Sequence, residues 1–328
     1  MITKIGGEEI IGECAELIKK GEIVAFPTET VYGLGGDAFN ETAVKKIYEA
    51  KNRPSDNPFI VHFGKIEDVE QAGYLTDTAE KIFKRFSPGP LTIVLKKKPE
   101  IPYCVTAGLE TVGIRIPSHP LAREFLIKCG TPVAAPSANV SKRVSPTSAQ
   151  YVYDDMNGKI PAIIDGGHCE VGIESTVLDL SGEIPTILRP GAITKEMLLP
   201  YLPDVKNRTG KVKVALAPGM KYKHYSPIVP CVLFSSPEAA EKEYALRMNE
   251  NKNPIVLARE EISAILREKN INCVSLGKTG EEIAHNIFDY LRKYEKTNGY
   301  IIVEALSDVG IENSVMNRLL KSSQGIIL

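Results

Sequence analysis

The chain has 328 residues, 40 of them Lys or Arg and 41 Asp or Glu, with 43% apolar side chains. That length is more than one compact core holds and predicts two domains. The net charge of −1 excludes bulk electrostatic attraction to nucleic acid, although not a local basic patch. The cysteines, Cys14, Cys104, Cys129, Cys169, Cys231 and Cys273, lie far apart with no C-x-x-C pair. They match neither a zinc spacing nor a disulfide framework and fit a reducing compartment. Residues 1–12 have no basic stretch followed by an apolar one, and no apolar run approaches the ~20 residues of a membrane span. The expected location is cytoplasmic, with no membrane partner.

Ile10, Cys14, Leu17 and Ile18 fall on one helical face that Gly21 closes. Apolar runs predict strands at 23–26, 59–63, 91–95, 112–116, 132–135, 162–164 and 176–180. A helix led by Ala43, Val44 and Ile47 should stop near Arg53, because Pro54 disfavours helix in the residue before it. Another opens at Ser118 with Pro120 in its first turn and carries Leu121 and Phe125 inward. This irregular interleaving predicts an α/β fold with a mixed sheet. Over 207–230 the pattern lapses into a basic, aromatic linker that includes His224 and Tyr225. Strands at 231–234, 254–258, 272–276 and 300–303 then alternate with helices, including one carrying Ile283, Ile287 and Leu291 and another carrying Ile311, Val315 and Leu319. That texture predicts a small Rossmann-like parallel domain. The expected division is 1–206, a linker or lid at 207–230, and 231–328.

Familiar nucleotide motifs fail. Gly277-Lys278-Thr279 resembles the end of a phosphate-binding loop, but Asn272 stands where its first glycine belongs. Gly33-Leu34-Gly35-Gly36-Asp37-Ala38 matches a loose dinucleotide fingerprint, yet Pro27-Thr28-Glu29-Thr30 interrupts the strand that should precede it. What remains is polar residues where apolar strands meet turns. Lys51, Arg53 and Asn57 place cations and an amide at a helix end, as a fork of donors for an anion requires. Alternation in 111–116 puts Thr111 and Arg115 on one face and Val112, Ile114 and Ile116 on the other, so Arg115 looks away from the core, towards solvent or a ligand. His62, within Phe59-Ile60-Val61-His62-Phe63, reads by itself as a core histidine. Ala135, Ser137 and Asn139 form a small-residue turn, and Ser145 or Thr147 is placed to cap the following helix. Ser175 and Arg189 add a hydroxyl and a cation at strand ends. No Ser-His-Asp triad and no metal-ligand spacing emerges, and His168-Cys169-Glu170 fits no zinc pattern. The sum suggests an anionic ligand with a hydroxylated or amino-acid partner.

In order, Phe26-Pro-Thr-Glu-Thr-Val-Tyr-Gly-Leu34, Lys51-x-Arg53-Pro54 with Asn57-Pro58, Pro88-Gly-Pro-Leu-Thr92, Gly113-Ile-Arg-Ile-Pro117, Ala135-Pro-Ser-Ala-Asn139, Ser175-Thr-Val177 and Leu188-Arg-Pro-Gly191 resemble the YrdC family. The tail, with Met220-Lys-Tyr-Lys-His-Tyr-Ser-Pro227, resembles its two-domain form. The resemblance implies a first domain with a twisted mixed sheet around a concave, positively lined cavity. It also implies L-threonylcarbamoyladenylate synthase activity, a nucleotidyltransferase reaction of L-threonine, bicarbonate and ATP that yields threonylcarbamoyl-AMP and diphosphate. Partner proteins then transfer the group to adenosine 37 of tRNAs reading ANN codons, so that tRNA is served indirectly. Carried over, Thr30, His62, Arg115, Ala135 through its backbone, and Ser175 surround threonine, with Arg115 pairing its carboxylate. Lys51, Arg53, Asn57, Thr111, Ser137, Asn139, Ser145, Arg189 and Tyr225 surround ATP, with Lys51 and Arg53 catalytic and Mg²⁺ held mainly by the phosphates. Alternative expectations are a carbamoyl-adenylate-forming enzyme and an RNA-binding regulatory module.

Overall fold

Alternation along three-residue strands decides the first architecture. Val24 and Phe26 join one apolar cluster and Ala25 another, and Val133 and Ala135 against Ala134, or Ala162 and Ile164 against Ile163, divide the same way. A sheet so divided is buried on both faces. The computed structural model describes residues 2–208 and 225–328, so most of the expected linker, His224 included, lies outside the described residues. By its contacts the chain forms two units, Met1–Ser141 with Pro146–Tyr222, and Lys142–Ser145 with Lys223–Leu328.

The first unit opens with β1 (Lys4–Gly6), α1 (Ile11–Lys19), β2 (Val24–Phe26), β3 (Gly33–Asp37), α2 (Glu41–Lys51) and β4 (Ile60–His62). It continues with α3 (Asp77–Phe86), β5 (Leu91–Lys96), α4 (Tyr103–Thr106), β6 (Thr111–Arg115), α5 (Pro120–Cys129) and β7 (Val133–Ala135). After these come α6 (Ala149–Met156), β8 (Ala162–Ile164), β9 (Thr176–Asp179), β10 (Thr186–Arg189), α7 (Lys195–Leu198) and β11 (Lys206–Asn207). The eleven strands form one sheet in the order β1-β8-β2-β3-β7-β4-β6-β5-β9-β10-β11. β4 runs parallel to β6 and β5 parallel to β9, whereas β2–β3, β4–β7 and β5–β6 are antiparallel. The sheet is mixed, as its irregular sequence pattern requires.

Several elements differ from the sequence reading. Gly33–Asp37, to which no strand was assigned, is a strand, and its glycines answer to packing. A Cβ on Gly35 would lie 2.6 Å from Val133 Cγ1 and 2.9 Å from Phe26 Cε1. The short strands β1 and β11 were not expected, and of β10 only its end at Arg189 was. α2 stops at Lys51 because Asn52 adopts a left-handed conformation at φ 50°, which asparagine tolerates. α5 begins at Pro120 with His119, not Ser118, as its N-cap residue.

The second unit adds β12 (Cys231–Phe234), α8 (Pro237–Asn249), β13 (Pro254–Ala258), α9 (Glu260–Glu268), β14 (Cys273–Ser275), α10 (Gly280–Tyr294), β15 (Tyr300–Glu304) and α11 (Gly310–Ser322). Its four strands are all parallel, in the order β12-β15-β13-β14. Among the described residues no helix of either unit is long and apolar enough to cross a membrane. Gly277-Lys278-Thr279 is a helix start. Thr279 caps α10 through the backbone N–H of Glu282, and Glu282 reaches back to the backbone N–H groups of Lys278 and Thr279. Thr279→Ala should therefore lower stability by about 1 kcal/mol, while Lys278→Ala leaves stability and nucleotide turnover unchanged. Urea denaturation of the two variants checks the first expectation, and loss of turnover in Lys278→Ala would contradict the second.

Candidate functional site

Strand register builds the centre of the site. On β6, Val112 and Ile114 go to the core on one face, which leaves Arg115 on the other. In register, His62 of β4 lies beside Arg115, and Arg115 lies beside Thr92 of β5. A polar row thus crosses three neighbouring strands on the face opposite the main core. Thr92 Oγ1 shares a 2.8 Å hydrogen bond with Ser175 Oγ. Arg189 closes the row by donating to the Ser175 carbonyl from Nε at 3.1 Å and Nη2 at 2.9 Å, and to Ser175 Oγ at 3.2 Å. The backbone beyond Arg189 comes very close here, since a Cβ on Gly191 would stand 2.3 Å from Thr176 N. A buried hydroxyl-and-guanidinium chain of this kind is stable only while its members are bonded to one another.

The turn between β2 and β3 supplies the next layer. Thr28 Oγ1 shares a 2.9 Å hydrogen bond with Thr30 Oγ1, donates to the Val31 carbonyl at 2.6 Å, and accepts from the N–H groups of Thr30 and Val31. This side chain holds the turn so that Glu29 points at Arg115, Oε1 to Nη2 2.8 Å, with 3% and 5% of the two side chains exposed. Arg115 therefore faces away from the core, as alternation requires, but it is buried against a carboxylate and not in solvent. Its Nε donates weakly to the Gly89 carbonyl at 3.4 Å.

His62 is buried, sits edge-on to Phe26, and turns Nδ1 to the Ile60 carbonyl at 3.1 Å. Burial, reinforced by the neighbouring Arg115 guanidinium, pushes the imidazole from its ordinary 6.5 down to about 3, so His62 is neutral and adds no charge beside Arg115. Burial also raises the Cys169 thiol far above its usual range, despite the nearby Arg115. It is no thiolate nucleophile.

A second cluster gathers at the end of α2. Lys51 is 1% exposed, and its ammonium donates to the carbonyls of Ser137 and Asn139. Ser141 N returns a bond to the Lys51 carbonyl at 2.9 Å. Ser137 Oγ donates to Asn139 Oδ1 at 2.5 Å. Arg53 lies across the Phe59 ring, 5.3 Å from its centre, and donates to the carbonyls of Asn57 and Pro58 at 3.2 and 3.3 Å. Asn57 is 1% exposed, yet its Oδ1 has no hydrogen-bond partner among the described residues. Ala135, at the end of β7, lies two residues before Ser137 and opposite Ile60, which pairs with Gly113, two residues into β6 from half-buried Thr111. β7 thus runs from the Arg115 row into the Lys51 cluster.

Ser145 and Tyr225 belong to the second unit. Ser145 is buried there. Tyr225 stacks on Phe288 with ring centres 5.4 Å apart, and its carbonyl accepts from Ser322 Oγ at 2.6 Å. Neither Ser145 nor Thr147 caps α6; the N-cap residue is Ser148, without a side-chain bond, because Pro146 and Thr147 are taken up in the buried connection that reaches Tyr32 and Cys169. Sequence reasoning missed Glu29 and Thr92 as site residues. Alternation in Leu91–Lys96 puts Thr92 opposite Leu91, Ile93 and Leu95, and this is the same signal that singled out Arg115. Glu29 carried no such signal, because a charged residue in a turn reads as solvated.

Two family models match the chain. One, described as telomere recombination (Sua5, YciO and YrdC), covers residues 16–191. The other, described as the C-terminal domain of threonylcarbamoyl-AMP synthase, covers residues 193–324. The chain is 42% identical to the threonylcarbamoyl-AMP synthase of Bacillus subtilis (strain 168), over 97% of this chain and 94% of that protein. It is also 42% identical to that of Pyrococcus abyssi, over 94% and 92%. The crystal structure of P. abyssi Sua5 complexed with L-threonine superposes with a TM-score of 0.91 at 39% identity, covering 100% of this chain and 98% of that one.

The buried imidazole gives a pH prediction. Between the ordinary 6.5 and about 3 the unfolded chain binds a proton at His62 that the native protein refuses. Stability should therefore fall as pH falls through that window. His62→Gln, followed by urea denaturation at about pH 7 and about pH 5.5, should lose less stability between the two than the wild type. Equal losses would mean that His62 titrates normally.

Proposed function

The chain belongs to the threonylcarbamoyl-AMP synthase family in its two-domain form, and we propose that it joins L-threonine, bicarbonate and ATP into threonylcarbamoyl-AMP and diphosphate. The observation that carries this reading is the polar row in which Arg115 lies in register beside Thr92 and Thr92 is bonded through Ser175 to Arg189. It brings one guanidinium suited to an amino-acid carboxylate and another suited to phosphate into the same polar row.

In the proposed reaction Arg115 takes the carboxylate of threonine, flanked by Thr30, His62, the Ala135 backbone and Ser175. A neutral His62 adds no second cation there. The amine of threonine attacks bicarbonate, and the resulting carbamate, short-lived in water, is kept beside the α-phosphate of ATP, which turns a fleeting encounter into an oriented one. A carbamate oxygen then attacks that phosphorus and diphosphate departs. Lys51, Arg53 and Arg189 stabilise the charge that builds on its oxygens, while Asn57, Thr111, Ser137 and Asn139 hold the nucleotide. Mg²⁺ entering with ATP neutralises phosphate oxygens, and the cationic donor set of this chain suits phosphate more than metal. The product passes to proteins that transfer the threonylcarbamoyl group to tRNA. A cytoplasmic setting fits six unpaired thiols.

Diphosphate release from ATP should require L-threonine and bicarbonate together and should stop when EDTA removes Mg²⁺. Lys51→Met should lower it at least about a hundredfold, since both the charge and the anchor of the Ser137–Asn139 loop are lost. Release driven by carbamoyl phosphate instead would assign the chain to carbamoyl-adenylate chemistry, and no release under any condition would refute the enzyme.

A further inference from the structure

The reaction as described leaves the Glu29 carboxylate without a task. Glu29 is buried in the turn between β2 and β3, 2.8 Å from Arg115 Nη2, and both side chains are at most 5% exposed. The contact is one of charge alone: among the described residues neither Glu29 oxygen accepts a hydrogen bond and Arg115 Nη2 donates none. A carboxylate has room for about four donors, and a buried ion pair with that capacity unfilled lowers stability unless something else fills it. The filling group has to offer N–H donors to Glu29 and acceptors to Arg115 at once. An α-amino acid zwitterion does so, with its ammonium and carboxylate on neighbouring atoms.

We infer that Glu29 receives the ammonium group of threonine and is the base that takes its proton, while Arg115 holds the carboxylate; the inference rests on the reaction proposed above. One N–H bond of the ammonium breaks and its proton passes to a Glu29 oxygen, leaving a neutral amine. The lone pair of that amine forms the N–C bond to bicarbonate. One C–O bond of bicarbonate breaks, and the departing hydroxide leaves as water with a second amine proton. The carbamate keeps one negative charge, and Glu29 returns its proton to solvent as the product departs.

The test compares wild type, Glu29→Gln and Glu29→Asp. It measures threonine-dependent diphosphate release and, by calorimetry, the binding of L-threonine and of 3-hydroxybutanoate, which keeps the carboxylate and hydroxyl but has no amine. The wild type should bind L-threonine at least about tenfold more tightly than 3-hydroxybutanoate, which corresponds to one charge-assisted contact. Glu29→Gln should lower turnover at least about a hundredfold, weaken threonine, and keep or tighten 3-hydroxybutanoate, because Arg115 no longer has a competing anion. Glu29→Asp should recover part of the turnover. Wild-type turnover in Glu29→Gln, or equal loss of both ligands, overturns the assignment. Should Glu29→Gln not fold, the wild-type comparison still decides, since equal affinity for the two ligands removes the amine contact. Absence of threonine-dependent release in the wild type refutes the reaction itself, a different result from loss of amine preference.

Discussion

The site depends on one constraint: three adjacent strands must keep their hydrogen-bond register. β4, β6 and β5 set His62, Arg115 and Thr92 in line only because His62 pairs with Arg115 and Arg115 with Thr92. A slip of one residue on β6 would turn the Arg115 guanidinium into the main core and Ile114 out of it, and a slip on β4 or β5 would do the same with His62 and Val61 or with Thr92 and Ile93. The apolar partners Val61, Ile114 and Ile93, all buried in that core, make such a slip costly. Burial of the hydrophobic face is therefore what aligns the polar one. The charges contribute little to this; left to themselves they would seek water.

How much of this was legible in the chain follows from the same physics. Arg115 could be placed by alternation alone, because a five-residue strand gives the two-residue period enough length to be seen. Strands of three residues, such as β1, carry too few alternations. β3 was hidden for another reason: a run of glycines reads as a turn, and only the approach of Phe26 and Val133 explains why side chains are excluded there. The cation-rich segment around Lys51 and Arg53 was visible as a donor fork. That Lys51 spends donors on the Ser137 and Asn139 carbonyls was not, since the contact spans more than eighty positions. Roles for Thr30, Ala135 and Ser175 came from resemblance, not from their chemistry, which is common to many turns.

The second unit was the easier half to read, since strand and helix alternate at regular spacing and every strand is parallel. Its one deceptive feature is instructive. The triplet Gly277-Lys278-Thr279 has the composition of a phosphate loop, yet its threonine and the glutamate three positions later satisfy each other at the helix start. The N–H groups that would cradle a phosphate are already occupied by a side chain. Composition identifies the kind of turn, and what fills its donors decides its use.

Ser175 has a consequence of a different kind. It bonds to Thr92 on one side and to Arg189 on the other, so in the proposed reaction the threonine and nucleotide sides share one small hydroxyl with few alternative orientations. A ligand that fixes that hydroxyl for one side fixes it for the other. The two occupancies are then linked by a common free energy, and linkage of this sort is reciprocal: whatever factor one ligand confers on the other is returned unchanged. In the proposed reaction, each of the two substrates would therefore change the affinity of the other by the same factor, with Ser175 as the place where that coupling resides.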